Sequence, residues 1–263
     1  MLRRVPVLKR QAADNPPKRP IRLSPIVLIP ARLAATRLPG KPLADIGGVP
    51  MVVHVLRRAQ AACVGPVAVA CGDEAIADAV RAAGGTAVMT DPDLPSGSDR
   101  VWAALQILDP GGAHDVVVNL QGDLPTLPPS FLTAVLSAMA EGIDIATLVA
   151  PITSAEEATA PSVVKAVCAF ADGATIAPAL YFSRAAVPSG DGPLWHHIGI
   201  YAYRRAALAR FVALPPSPLE RREKLEQLRA LEAGMRIAVA RVDQAPFGVD
   251  TAADLVRARQ VLA

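Results

Sequence analysis

"DVVVNLQGD", from Asp115 to Asp123, decides how this chain folds. Val116, Val117, Val118 and Leu120 leave a strand with almost no polar face, so a sheet containing it must be covered on both sides. The segments around it share this texture. "PIVLIP" (25–30), "PVAVAC" (66–71) and "TAVMT" (86–90) are short apolar runs bounded by turn residues. Between them lie stretches with apolar residues at helical spacing. These are "PMVVHVLRRAQAA" with Pro50 in the first turn, "DEAIADAVRAAGG" stopped by Gly84-Gly85, "SDRVWAALQIL" with Ser98 as its cap, and "PPSFLTAVLSAMAEG". Doubly apolar strands alternating with helices predict an α/β three-layer sandwich around a mostly parallel, Rossmann-like sheet.

Farther along, the pattern is more mixed. "DIATLVAP", "VVKAVCAF", "APALYFS" and "HHIGIYAYR" predict strands separated by Pro- and Gly-rich turns. Helices are expected over "RAALARFVAL" and "SPLERREKLEQLRALEAG", then a strand "RIAVARV" and a last helix from Thr251. No internal repeat or linker interrupts residues 25–263. They are expected to form one domain, with a small mixed sub-region inserted near 150–215.

The 263 residues are 52% hydrophobic, enough for a substantial core, yet no run reaches the roughly 18 apolar residues of a membrane span. The net charge of +3 is unevenly spread. Residues 1–24 carry seven Lys/Arg against Asp14 alone, which leaves the remainder net negative. That stretch lacks the apolar core of a signal peptide and reads as a disordered basic tail. Aromatic residues at 4% offer few platforms for stacked bases, and nucleic acid is not an expected partner. Cys63, Cys71 and Cys168 are odd in number, form no metal-binding spacing with the four His, and read as small buried thiols of a reducing cytosol.

In an open α/β sheet, ligands bind beyond the carboxyl ends of the strands, and each unusual polar cluster here falls at such an end. Arg32, Arg37 and Lys41 follow the first strand, "SGSDR" (96–100) follows the third, "QGD" (121–123) ends the central one, and "GVDT" (248–251) precedes the last helix. Neither G-x-G-x-x-G nor G-x-x-x-x-G-K-[ST] is present, so a phosphate grip would have to come from side-chain cations and loop amides. Two Arg and a Lys suit a triphosphate, although solvated surface charges would have the same spacing. Asp123 and Asp250 could reach one Mg²⁺, which takes one or two carboxylates and fills its shell with water and phosphate oxygens. Either could instead be a turn aspartate or a helix cap.

"LIPARLAATRLPGKPLADIGGVPMVVHVLRRA" closely resembles the opening of the 3-deoxy-manno-octulosonate cytidylyltransferases, the CMP-Kdo synthetases. So do "SGSDR", "VVNLQGD", "LYFSRA", "HIGIYAYR", "LPPSPLE", "LEQLRAL" and "GVDTAADL", in family order. The resemblance covers roughly residues 25–263. It implies a cytoplasmic, homodimeric enzyme of lipopolysaccharide assembly that uses CTP and Mg²⁺ to convert Kdo to CMP-Kdo with release of pyrophosphate. By the same resemblance, Arg37, Lys41, Asp123 and Asp250 are catalytic, with both Asp on the metal. Arg32, Arg37, Lys41, Ser96, Gly97 and Arg100 bind nucleotide, while Gln121, Arg184, His197, Tyr201 and Glu220 contact the sugar. A related acid sugar, or a silent nucleotide-binding protein, are the alternatives. Three departures stand out: Leu124 where the family has Glu, Gly72 where it has Asp, and a shortened stretch before "HHIGIY".

Overall fold

A computed structural model describes residues 23–34 and 38–262. Most of the basic tail, and Arg37 of the first loop, lie outside the described residues. In chain order, the elements begin with strand β1 (Pro25–Ala31), the two-residue strands β2 (Asp45–Ile46) and β3 (Val49–Pro50), helix α1 (Met51–Ala61) and β4 (Val67–Cys71). Next come α2 (Glu74–Ala82), β5 (Thr86–Met89), α3 (Gly97–Leu108), β6 (Val116–Leu120), α4 (Ser130–Ser137) and β7 (Ile145–Pro151). Then follow α5 (Ala155–Thr159), β8 (Lys165–Cys168), β9 (Ile176–Ser183), β10 (Trp195–Arg204), α6 (Arg205–Ala213), α7 (Pro218–Glu223), α8 (Gln227–Glu232), β11 (Ile237–Arg241) and α9 (Ala252–Leu262).

All five residues of β6 are buried, as its sequence requires. Val116, Val118 and Leu120 face a core shared with α1, α2 and α4. Val117 faces the opposite core, built with α3, α6 and α8. The strand period of two splits β1 in the same way, with Val27 and Ile29 on one side and Ile26 and Leu28 on the other. The three layers expected from the sequence are present.

The sheet is not mostly parallel. Its nine strands run β5-β4-β1-β6-β10-β7-β11-β9-β8. The first four are mutually parallel and β11 is parallel to β7, but β10 is antiparallel to both β6 and β7. Strand β9 opposes β11, and β8 opposes β9. The cause lies in the connections. Helical crossovers between β1, β4, β5 and β6 return the chain to the same end of the sheet. Strands β8 and β9 are joined without a helix and reverse direction, and β10, antiparallel to β8, keeps the reversed direction of β9.

Three local differences follow from packing. Helix α1 starts at Met51, with Pro50 as its cap and in β3 rather than in the first turn. Ser96 caps α3, accepting from the Asp99 amide, while Ser98 is buried inside. The single helix expected over 217–234 is two, because Lys224 adopts φ 56° and breaks it. Cys71 is buried, but Cys63 is exposed and Cys168 intermediate, all three being free thiols. Among the described residues no helix is long and apolar enough to cross a membrane.

Candidate active site

The loop after β1 is shaped by a glycine and an aspartate. Gly40, at φ 67°, opens the single 3-10 turn Lys41–Leu43 and sets the direction of Lys41. Leu33 donates its amide to Asp73 Oδ2 at 2.8 Å, so the second βα loop ties down the first. Lys41 Nζ then bridges two carboxylates, 3.0 Å from Asp123 Oδ2 and 3.1 Å from Asp250 Oδ1. Burial pulls the Lys41 ammonium down, but the Asp123 charge and the hydrogen bonds to both carboxylates outweigh it and leave its pKa above the ordinary value.

The aspartates are brought together by backbone. Gly122 permits the end of β6 to lie against β1, since a Cβ there would meet the Pro30 carbonyl oxygen at 3.0 Å. The Val249 amide donates to the Asp123 carbonyl at 2.9 Å, locking the "QGD" and "GVDT" turns to each other. Leu124 is buried in the core on the α1/α2/α4 side and would lie 3.7 Å from a Cβ on Gly248. An apolar residue at this departure from the family pattern therefore fills space beneath both turns. Thr251 Oγ1 accepts from the Asp254 amide and caps α9. That helix packs through Leu255 and Ala258 on Ile46 of β2 and Met51, which brings Asp250 across to Lys41. Arg32, Lys41, Gln121 and Asp123 line a cleft of about 180 Å³.

The "SGSDR" loop divides in two. Gly97 abuts the first site, for a Cβ there would lie 3.4 Å from Pro30 Cγ and 4.0 Å from Gln121 Nε2. Arg100 does not reach that cleft. It is 2% exposed, and its guanidinium donates to Thr90 Oγ1 at 2.6 Å and to the Asp91 and Pro92 carbonyls at 3.0 Å each. Burial lowers its pKa from the ordinary value, and the Arg32 charge adds to this. The Gly72 departure belongs to the same feature: a Cβ at Gly72 would stand 2.8 Å from Arg100 Nη1.

The residues named for the sugar also separate. Gln121 faces the bulge of β10, with its Cγ 3.9 Å from where a Gly199 Cβ would be. His197 lies just before that bulge, its Nε2 3.0 Å from Thr147 Oγ1, and the same hydroxyl is 2.8 Å from the Ile200 carbonyl. With its one proton on a carbonyl, Thr147 accepts from an Nε2–H tautomer of His197. Burial, followed by the neighbouring His196, pushes His197 down to about 3 and keeps it neutral. Tyr201, its ring 5.5 Å from His197, is held well above the ordinary tyrosine value by burial. These three sit together. Arg184 is instead turned to carbonyls, donating to those of Glu223, Pro161 and Lys224. Glu220 caps α7 with Ser217 and accepts from Arg229 Nη2 at 2.6 Å and Nε at 2.8 Å.

Sequence reasoning did not single out Glu226 and Gln227, although both lie in the quoted "LEQLRAL". Gln227 is 5% exposed and its Nε2 has no hydrogen-bond partner among the described residues; nor does Glu226 Oε1, 3.9 Å from Arg229. Burial raises the Glu226 pKa, with Ser96 and Ser98 working against it. Buried polar atoms without partners are costly, and a ligand that pairs them removes the cost. Glu226 also borders a cleft of about 620 Å³ that reaches Ser96. The break at Lys224 turns these side chains inward, and nothing local in "REKLEQ" announces a lysine with positive φ.

Cations, a carboxylate pair and a glycine-bearing helix start gathered at one edge of a three-layer α/β sheet make a site suited to the phosphates of a nucleotide. A nucleotidyl transferase from Methanothermobacter thermautotroptrophicus shares this fold, with TM-score 0.58 over 91% of this chain and 97% of that one at 15% identity. Residues 26–237 match the family described as Cytidylyltransferase. The 3-deoxy-manno-octulosonate cytidylyltransferase of Rhodospirillum centenum is 67% identical over 91% of this chain and 93% of its own length. The protein of the same name from Parvibaculum lavamentivorans is 65% identical over the same shares. A solved CMP:2-keto-3-deoxy-manno-octonic acid synthetase complexed with CTP superposes with TM-score 0.83 at 39% identity, covering 90% of this chain and 98% of that one. The chain belongs to the 3-deoxy-manno-octulosonate cytidylyltransferase family.

Proposed function

We propose that this protein transfers CMP from CTP to the anomeric hydroxyl of 3-deoxy-manno-octulosonate, releasing pyrophosphate, in the cytoplasm and for lipopolysaccharide assembly. The observation that carries the reading is the meeting of Lys41 with Asp123 and Asp250 in a chain 67% identical to a named enzyme of this activity. In this reading Arg32, Arg37 and Lys41 hold the triphosphate, and the Gly97 end of α3 with Ser96 bounds the nucleotide. Arg100 acts at one remove, fixing the Thr90–Pro92 turn.

The carboxylate pair fits Mg²⁺. Two hard oxygen donors converge on one positive centre, now the Lys41 ammonium, and no soft ligand lies among the contacts. Among the described residues no group of three or more His, Cys, Asp or Glu gathers to hold a metal, so the rest of the shell falls to substrate oxygens and water. Bound there, Mg²⁺ would supply charge stabilisation at the transferring phosphoryl group. The protein's own residues bind, align and exclude water, and a covalent intermediate is not required.

On the sugar side, Gln121 and protonated Tyr201 can donate to oxygens of the acid sugar, and neutral His197 fixes the strand bulge beneath them. Gln227 Nε2 and Glu226 Oε1 supply an unpaired donor and acceptor for the hydroxyls. Arg184 and Glu220 shape the wall through the Lys224 turn. A homodimer belongs to the reading, supported by the exposed apolar Ile176 and Leu180 on one face of β9. Pyrophosphate release from CTP with a panel of acid sugars is the test. Release with Kdo above all others is expected; release with a sialic-acid-like or amino-Kdo substrate alone changes the sugar, and none at all leaves a nucleotide-binding protein.

A further inference from the structure

The Asp123–Asp250 pair has two candidate cations, the Lys41 ammonium and the metal, that it cannot hold at close range together. The ammonium stands 3.0 Å and 3.1 Å from Asp123 Oδ2 and Asp250 Oδ1, the same carboxylates assigned to the metal. Mg²⁺ binds oxygen at about 2.0–2.1 Å, so an ion touching both oxygens would lie within about 5 Å of that nitrogen from whichever side it entered. A divalent and a monovalent cation that close repel strongly in a partly buried cleft. Lys41 is only 18% exposed, so its stem has little freedom to withdraw unaided.

From this geometry we infer that Lys41 guards the carboxylate pair against free divalent cations and enforces an order of addition, CTP drawing the ammonium onto its outer phosphates before or as the metal enters. The inference rests on the reading of Asp123 and Asp250 as the metal's carboxylates. Three features support it. The ammonium carries three donors, and among the described residues it spends two of them, both on the pair. The cleft beside it is bordered by Arg32, whose charge adds to the attraction for a polyanion. Removing the ammonium would take one positive charge from between the two carboxylates, which favours a divalent ion directly. The lysine is then more than a phosphate ligand: it keeps the pair closed until substrate is present, so metal reaches the site together with nucleotide.

The experiment measures Mn²⁺ binding to the nucleotide-free full chain by the EPR signal of free Mn²⁺. Lys41→Met and Lys41→Gln should bind at least tenfold more tightly than the parent protein, and Lys41→Arg should stay weak because it keeps the charge. The gain should vanish in Lys41→Met/Asp123→Asn. Parent-like binding in both neutral variants, with circular dichroism showing them folded, overturns the inference. Anomalous scattering from crystals grown with CTP and Mn²⁺ tests the underlying reading separately. Manganese between Asp123 and Asp250 without any gain in the variants overturns the lysine's role alone; manganese elsewhere overturns the metal assignment as well.

Discussion

Replacing Gly72 with Ala should damage the protein through a single contact. The new Cβ would lie 2.8 Å from Arg100 Nη1, 3.1 Å from Cζ and 3.2 Å from Nη2. Relaxed contacts between heavy atoms begin near 3.5 Å, so the guanidinium must retreat by about 0.7 Å. It has nowhere favourable to go, because three hydrogen bonds of 2.6, 3.0 and 3.0 Å hold it to Thr90, Asp91 and Pro92. A shift of that size stretches at least one past useful range, and a buried hydrogen bond from a charged group is worth about 1.5–3 kcal/mol. At about 2–4 °C per kcal/mol for a chain of this size, the melting temperature should fall by about 3–12 °C. The Thr90–Pro92 turn leads directly into Ser96 and Gly97, so KM for CTP should rise severalfold while kcat changes less. Differential scanning calorimetry and initial-rate kinetics measure both effects. The double variant Gly72→Ala/Arg100→Ala separates causes, since once the guanidinium is gone the added methyl should cost little. A Gly72→Ala protein melting within about 1 °C of the parent, or strictly additive losses in the double variant, would refute the reasoning.

Asp123→Asn and Asp250→Asn should each cut turnover about a thousandfold or more with the fold intact by circular dichroism, as expected where metal charge stabilisation is worth several kcal/mol; activity within a few-fold of the parent removes the assignment. Lys41→Ala should weaken CTP more than CMP in titration calorimetry, and equal losses would mean the ammonium does not face the outer phosphates. Gln227→Ala should raise KM for the acid sugar by about tenfold, the scale of one lost hydrogen bond, and leave CTP binding alone. An unchanged sugar KM would mean its free amide meets nothing there. His197 titrates at about 3 when folded against 6.5 for the free side chain, so the unfolded chain binds the extra proton between those values. Its contribution to stability is therefore complete above pH 6.5 and lost as pH falls towards 3. Urea unfolding of His197→Gln should show a shallower acid loss than the parent over that window, and identical slopes would contradict a buried neutral ring.

The three layers were legible because they depend on periodicity, which is local: a strand such as Val116–Leu120, apolar on both faces, admits no other environment. The convergence of Lys41, Asp123 and Asp250 was legible for a related reason, since strand ends in a sheet covered on both sides share one edge. What the sequence could not contain was direction and partnership. Whether β10 runs with or against β6 depends on how the chain returns between β8, β9 and β10, and composition is indifferent to it. Arg100 and Arg184 carry the same charge as Arg32, and only packing decides that the first two are occupied by carbonyls of the Thr90–Pro92 and Lys224 turns while the third borders the cleft. Glu226 and Gln227 sit in what reads as one amphipathic helix, and they became visible when the φ of 56° at Lys224 divided it. Periodicity fixes which face of an element is buried; what each polar group meets is set by residues that can be 209 positions away, as for Lys41 and Asp250, and only the assembled fold brings them together.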